Sequence, residues 1–465
     1  MRAQASALMM TIPLVITTPA GGVTTSSVLA LCEPSQVYAV VGVPERDAVD
    51  LQARGAAREF VIDGHQSGAR FGSSVVVHDV NADRCMDLLV GEPIANHVHV
   101  LMGAATGPGT GESAVLEYAG AAGDGFGTAV AAEMVPPTAL SDGLLRVWVG
   151  APGVDVDGRT DAGAVVYYTV GADLQVSEPK VLTQNSPGVP GAAERGDRFG
   201  EVLAALSSGV AVGVPGEDVG SRADAGALWV LPAPGVIPAG AGPYLVTQDS
   251  PGIPGGAEAG DGFAAALDMT LRDDGGPRII ESGLWVGVPR EDLGTVRDAG
   301  LVQELGLGLA GATGLTVLTQ DTRFTPGVAE SGDRFGAALE GGGVSSDEYD
   351  CFATNVQIGV PGEDIGTIAD AGAVNLSYSA AGHRCYDFDA RDAMWHLGTK
   401  ASAGDFLGSS LGIGGSGAPG MDVGPEIDAG AVSNNGSTFT MNPVQSGSHY
   451  GAVMAKFCYR APWYW

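Results

Sequence analysis

One pattern recurs along the chain, and a recurrence of this kind dictates the architecture before any single residue does. "GDRFG" at 196–200 is followed by "VAVGVPGEDVGSRADAGALWV" at 210–230. "GDGFGTAV" precedes "VWVGAPGVDVDGRTDAGAV", "GDGFAAAL" precedes "LWVGVPREDLGTVRDAGLV", and "GDRFGAAL" precedes "VQIGVPGEDIGTIADAGAV". "GDFLGSSL" precedes "GAPGMDVGPEIDAGAV" near the C-terminus. Two units are eroded: "GARFGSSVVV" leads to "DLLVGEP" over 68–93, and "GGVTTSSVLAL" leads to "VYAVVGVPERD" over 21–47. The units therefore start near residues 21, 68, 123, 196, 260, 332 and 404, and a half-repeat, "GSHYGAVMA", closes the series at 447–455.

Inside one unit the apolar runs are short and bounded by Gly, Pro and Asp. In the unit that starts at 196 they cover roughly 200–206, 210–215, 226–231 and 244–248. Such runs read as a four-stranded antiparallel meander. The abundance of Gly and the low aromatic content, 6%, suit short strands and tight turns better than long helices. A small sheet cannot bury both faces alone, so the units must stack. The fold class expected is all-β, a seven-bladed β-propeller of four-stranded blades spanning 21–455. The half-repeat at 447–455 would add a strand to the weak first unit and fasten the ring, leaving 456–465 as an atypical tail.

Phe71-Gly72, Phe126-Gly127, Phe199-Gly200 and Phe335-Gly336 are each followed by Gly-Ala-Pro, Gly-Val-Pro or a variant of it. Gly150-Ala151-Pro152 and Gly417-Ala418-Pro419 are literal, and Gly213-Val214-Pro215, Gly287-Val288-Pro289 and Gly359-Val360-Pro361 are close. The paired signature resembles the FG-GAP repeat of the integrin α-chain propeller and its bacterial relatives. That resemblance implies a binding or cell-adhesion module with a protein or carbohydrate ligand. Fold alone does not select function within such families.

One loop has metal-ligand spacing. "HDVNADRCMDLLVG" places Asp79, Asn81, Asp83, Cys85 and Asp87 at positions 1, 3, 5, 7 and 9. A hard cation such as Ca2+ takes six to eight oxygens, and alternate residues of a tight loop can turn theirs inward together, Cys85 through its carbonyl. The arrangement is similar to the calcium loops of FG-GAP repeats, with Arg84 standing where Gly is usual. One calcium site is the expected cofactor, and it would stiffen one blade. No other unit keeps the loop.

Other candidates carry less. The acidic pairs Glu217-Asp218, Glu291-Asp292 and Glu363-Asp364, and the Asp of each Asp-Ala-Gly, read as turn residues of a repeated loop. His97 and His99 would share one face of a strand, but the sequence offers no evident third ligand. Cysteine spacing gives no zinc motif, and Cys351–Cys385 is a possible bridge in a secreted chain. Arg195-Gly196-Asp197 is the tripeptide of adhesion ligands, yet Gly-Asp belongs to the repeat and only Arg195 is new.

A formal charge of −31 repels nucleic acid and anionic lipid, so neither is an expected partner. No stretch is long and apolar enough to span a membrane. Residues 1–20 have the outline of a signal peptide, with an apolar run from Ala5 to Ile16, which would place the protein outside the cell or on its surface; a monomer is the expected state. The chain has no GxSxG, HExxH or P-loop, so an enzyme is not expected. The alternative is a propeller hydrolase or polysaccharide lyase, or an accessory domain of one, working at the channel mouth through plentiful carboxylates.

Overall fold

The computed structural model describes residues 37–457, apart from 54–58, 65–66, 82, 84, 86, 104–112, 136–143, 207–208, 234–241, 274–278, 309, 324, 347–350, 381–392, 396–400, 413–414, 435–436, 440–445, 447–448, 450–451 and 455. The possible signal peptide and the opening "GGVTTSSVLAL" lie outside the described residues.

Seven antiparallel sheets follow one another along the chain. The first holds β1 (Val37–Val43), β2 (Ala48–Ala53) and β3 (Glu59–Asp63); the second holds β4 (Val75–His78), β5 (Asp87–Glu92), β6 (His97–Leu101) and β7 (Ser113–Glu117). The third comprises β8 (Val130–Val135), β9 (Leu144–Ala151), β10 (Ala164–Gly171) and β11 (Lys180–Leu182). The fourth comprises β12 (Val202–Leu206), β13 (Gly209–Val214), β14 (Ala227–Pro232) and β15 (Tyr244–Val246). The fifth is β16 (Ala266–Asp273), β17 (Ile279–Val288), β18 (Leu301–Leu307) and β19 (Ala312–Leu318). The sixth is β20 (Ala338–Ser346), β21 (Cys351–Val360), β22 (Ala373–Ala380) and β23 (Ala393–Trp395), and the seventh β24 (Ser410–Gly412), β25 (Gly415–Ala418), β26 (Ala431–Asn434) and β27 (Ser437–Phe439). This is an all-β seven-bladed propeller with four-stranded blades.

The ring is closed by the end of the chain. β28 (Val453–Met454) pairs antiparallel with β1, Gly42 opposite Val453, and completes the first blade. β29 (Lys456–Phe457), from the segment expected to be a tail, adds a short parallel pairing to β4 of the second blade. The first blade thus takes a strand from the closing half-repeat.

The repeated residues are those that join one blade to the next. In the Gly-x-Pro element, a Cβ on Gly42, Gly91, Gly150, Gly287 or Gly359 would collide with the carbonyl oxygen of the Phe-Gly (or Leu-Gly) glycine in the following blade: Gly72, Gly127, Gly200, Gly336 or Gly408. One half of the signature is therefore glycine because the other half lies against it. The Phe side chains, Phe71, Phe126, Phe199, Phe263 and Phe335, are fully buried among apolar residues of adjoining blades. Each such ring removed from water contributes about 1.5–3 kcal/mol, so the core lies between the sheets.

A second joint sits at the rim. The backbone N–H groups of Phe199, Phe263, Phe335 and Leu407 donate to the carbonyls of Ala162, Ala225, Ala299 and Ala371, the Ala of Asp-Ala-Gly in the preceding blade, at 2.9–3.2 Å. The Asp of the same tripeptide adopts positive φ each time: Asp161, Asp224, Asp298, Asp370 and Asp428 all lie near +50°. Asp tolerates this left-handed conformation better than most residues. The Asp carbonyl takes a companion bond from the residue before, Arg198 to Asp161, Arg334 to Asp298 and Phe406 to Asp370, and His449 of the closing half-repeat donates its backbone N–H to Asp428 in the same way.

Candidate functional site: one rim and two polar clusters

Strands alternate in direction, so the second-to-third loops and the blade connectors emerge together at one end of the ring. Five blades carry loops of identical length there, residues 152–163, 215–226, 289–300, 361–372 and 419–430. Each is held by the same bonds. The carboxylates of Asp155, Asp218, Asp292, Asp364 and Asp422 accept the backbone N–H six residues on, at 2.9–3.1 Å. A two-residue bridge folds each tip, as in Val156 with Arg159 and Val219 with Arg222. The tips themselves differ: Asp157-Gly158-Arg159-Thr160, Gly220-Ser221-Arg222-Ala223, Gly294-Thr295-Val296-Arg297, Gly366-Thr367-Ile368-Ala369 and Gly424-Pro425-Glu426-Ile427. Blades one and two have four-residue turns instead, 44–47 and 93–96.

Beneath these loops the acidic pairs divide by role. The second member caps the loop, while the first turns inward. Glu217, Glu291 and Glu363 accept hydrogen bonds from the side-chain amides of Gln184, Gln248 and Gln320 at 2.8, 2.7 and 2.5 Å. Burial, then the neighbouring carboxylate of Asp197, pushes Glu217 up to about 8. Burial pushes Glu291 up to about 7 and raises Glu363 in the same direction. The Asp of each Gly-Asp lies alongside. Asp197, Asp261, Asp333 and Asp405 accept the N–H three residues back, from Glu194, Glu258, Glu330 and Ser402. Burial raises all four, Asp333 to about 7.

The opposite end of the second blade carries the loop with metal-ligand spacing. Asn81 Oδ1 accepts the Asp83 N–H at 3.1 Å, and Asp83 Oδ1 accepts the Cys85 N–H at 2.7 Å. Asn81 Nδ2 donates to Asp83 Oδ2 at 3.0 Å. Asp87, at the start of β5, is fully buried and accepts from the backbones of Val80 and Gly103. Burial, with smaller contributions from Asp83 and Asp79, pushes Asp87 up to about 7. Cys85 is disulfide-bonded through its side chain, which leaves its carbonyl role open.

A second polar cluster was not evident from sequence. Glu92, at the end of β5, is the middle residue of the second blade's Gly-Glu-Pro and is fully buried. Its carboxylate lies 2.7 Å from His99 Nε2 and 3.7 Å from His97 Nδ1. The histidines do share a face of β6, as expected, and Glu92 supplies the third polar group across the hairpin. The available signal was a charged residue where other units carry Ala or Val.

No protein-family model matches the chain, and no curated protein sequence matches it. Solved structures of other propellers align with it at low similarity. The six-bladed fungal lectin of Aleuria aurantia is 10% identical, with 75% of this chain and 89% of that one covered and a TM-score of 0.32. The same lectin bound to α-methyl-L-fucoside aligns at 10% identity over 78% and 94%, TM-score 0.33. A protein of Arthrobotrys oligospora aligns at 10% identity over 78% and 90%, TM-score 0.33.

Proposed function

We propose that this protein is a secreted or surface-exposed FG-GAP-type propeller that binds an extracellular ligand, protein or glycan, on the rim formed by its second-to-third loops. The observation that carries this reading is the contrast within those loops. Five frames are built from the same residues and the same hydrogen bonds, while the exposed tips differ from blade to blade. Repetition of the frame serves the ring; diversity of the tips serves recognition, as for binding residues carried on loops of a rigid scaffold. Four exposed apolar side chains, Ile94, Val328, Phe406 and Ile427, belong to the turns and connectors of this same rim.

The disulfide at Cys85 supports an oxidising, extracellular setting. Ca2+ bound by Asp79, Asn81, Asp83, Asp87 and the Cys85 carbonyl would stiffen the second blade from the far rim. The three carboxylates suit that role, because they crowd one another and a divalent cation relieves the repulsion.

The test is binding to glycan arrays, fucosylated and otherwise, and to a panel of extracellular-matrix proteins. Binding to one class is expected, weakened at least about tenfold by Ile427→Asp or Arg297→Ala at unchanged melting temperature. Absence of binding to either panel, or binding indifferent to tip substitutions throughout the five loops, would overturn the reading.

A further inference from the structure

We infer that Glu92, His97 and His99 form a site for a borderline divalent transition metal, of which zinc is the representative, built on the hairpin of β5 and β6 and separate from the Asp79–Asp87 loop. The three side chains offer one ligand atom each within 4.8 Å of one another. Two imidazoles and one carboxylate suit zinc, with a further position left for water or a ligand.

The hairpin sets this geometry. Glu92 and His97 face each other in register across the strands, and His99 lies two residues on, opposite Val90. The turn between them is only four residues, 93–96, so all three ligands come from one short rigid segment. The same turn replaces the twelve-residue loop of five other blades and leaves the His97 side chain 29% exposed, which gives an ion a way in. Phe71 packs edge-on against His99 and fixes that ring from the neighbouring side.

A second observation points to a missing partner. Glu92 Oε1 is buried without a hydrogen-bond partner among the described residues. Glu92 Oε2 is hydrogen-bonded to His99 Nε2 at 2.7 Å, whereas Oε1 has nothing to accept from, and a buried carboxylate oxygen left in that state is costly. Its cost is the more telling because every other blade avoids it. The positions equivalent to Glu92 are Val43, Ala151, Val214, Val288, Val360 and Ala418, and those equivalent to His97 are Ala48, Ala164, Ala227, Leu301, Ala373 and Ala431. The second blade alone exchanges an apolar pair for a carboxylate and an imidazole.

Those equivalences also supply variants that fold. Glu92→Val, His97→Ala and the double variant restore what the repeat uses elsewhere. The metal-stripped protein is titrated with ZnCl2 in excess calcium by calorimetry, and with Co2+, whose visible absorption reports coordination geometry. One Zn2+ per chain is expected, with a raised melting temperature and a low-coordinate Co2+ spectrum. Each single variant should weaken zinc binding at least about tenfold and the double variant abolish it, while Asp83→Ala leaves it unchanged. No saturable zinc uptake, uptake retained in the folded double variant, or uptake lost in Asp83→Ala would overturn the inference.

Discussion

The carboxylate of Asp197 accepts the backbone N–H of Glu194 at 2.6 Å and is 2% exposed. The acidic residue of Arg195-Gly196-Asp197 therefore faces its own chain. In four other connectors the carboxylates of Asp124, Asp261, Asp333 and Asp405 accept the same bond from the backbone N–H three residues back. In each the Gly-Asp turns the chain into the next blade.

Substitution separates this structural role from an adhesive one. Asp197→Ala should destabilise by about 1–3 kcal/mol, because the connector loses the part-buried bond from the Glu194 N–H to a carboxylate, and Asp333→Ala should cost a similar amount. Arg195→Ala, at an exposed position, should be silent in a thermal melt. Cell attachment that disappears in Arg195→Ala and is blocked by soluble RGD peptide would contradict the assignment.

The contact between blades is tested at Gly150. An alanine there would press its Cβ into the Gly200 carbonyl, and neither backbone can withdraw without opening the ring. A loss of about 3 kcal/mol is expected from such overpacking. Gly242→Ala, where the new Cβ would meet nothing within 4 Å, is the control. Equal denaturation midpoints for the two variants would refute the account.

Stability should decline as pH rises through neutrality. Glu217, Glu291 and Asp333 have folded pKa values of about 8, 7 and 7, whereas unfolded carboxyls titrate near about 4. Between these limits the folded state binds more protons than the unfolded state, so unfolding free energy falls with increasing pH. The contribution is fully present below about pH 4 and is lost on passing the folded values. The melting temperature should therefore drop from pH 5 to pH 8, and Glu217→Gln should flatten that slope and be the more stable form at pH 8. A melting curve that rises over this range would contradict the burial argument.

Calcium addition should raise the melting temperature, and chelation should lower it, through the Asp79–Asp87 loop. Binding to the folded state alone at 100 times the dissociation constant stabilises by about 2.7 kcal/mol. Asp83→Ala should remove the shift. A midpoint that does not respond in either protein disposes of the calcium site.

Much of the architecture was legible because it is repetitive. Phe199-Gly200 and Gly213-Val214-Pro215 recur at matched spacing, and only stacked sheets satisfy that pattern. The turn reading of Asp218 and Asp224 follows from the same repetition, and their loop does fold by a bond between them. Less legible was the division within Glu217-Asp218. Adjacent acidic residues look alike in sequence, yet one caps an exposed loop and the other is buried against Gln184, thirty-three residues earlier.

The sequence by itself determined the number of units, their strand count and the turn chemistry that separates them. These are local properties, carried by residues within one repeat. Which residues meet across blades was decided only by the tertiary structure: Gly150 against Gly200, and β28 beside β1. Glu92 shows the limit at shorter range. It stands five residues from His97, but whether the two face each other depends on strand register and on a four-residue turn where twelve residues are the rule. Register reverses every side chain with a slip of one residue, so a motif on a hairpin becomes a site only once the sheet has set it.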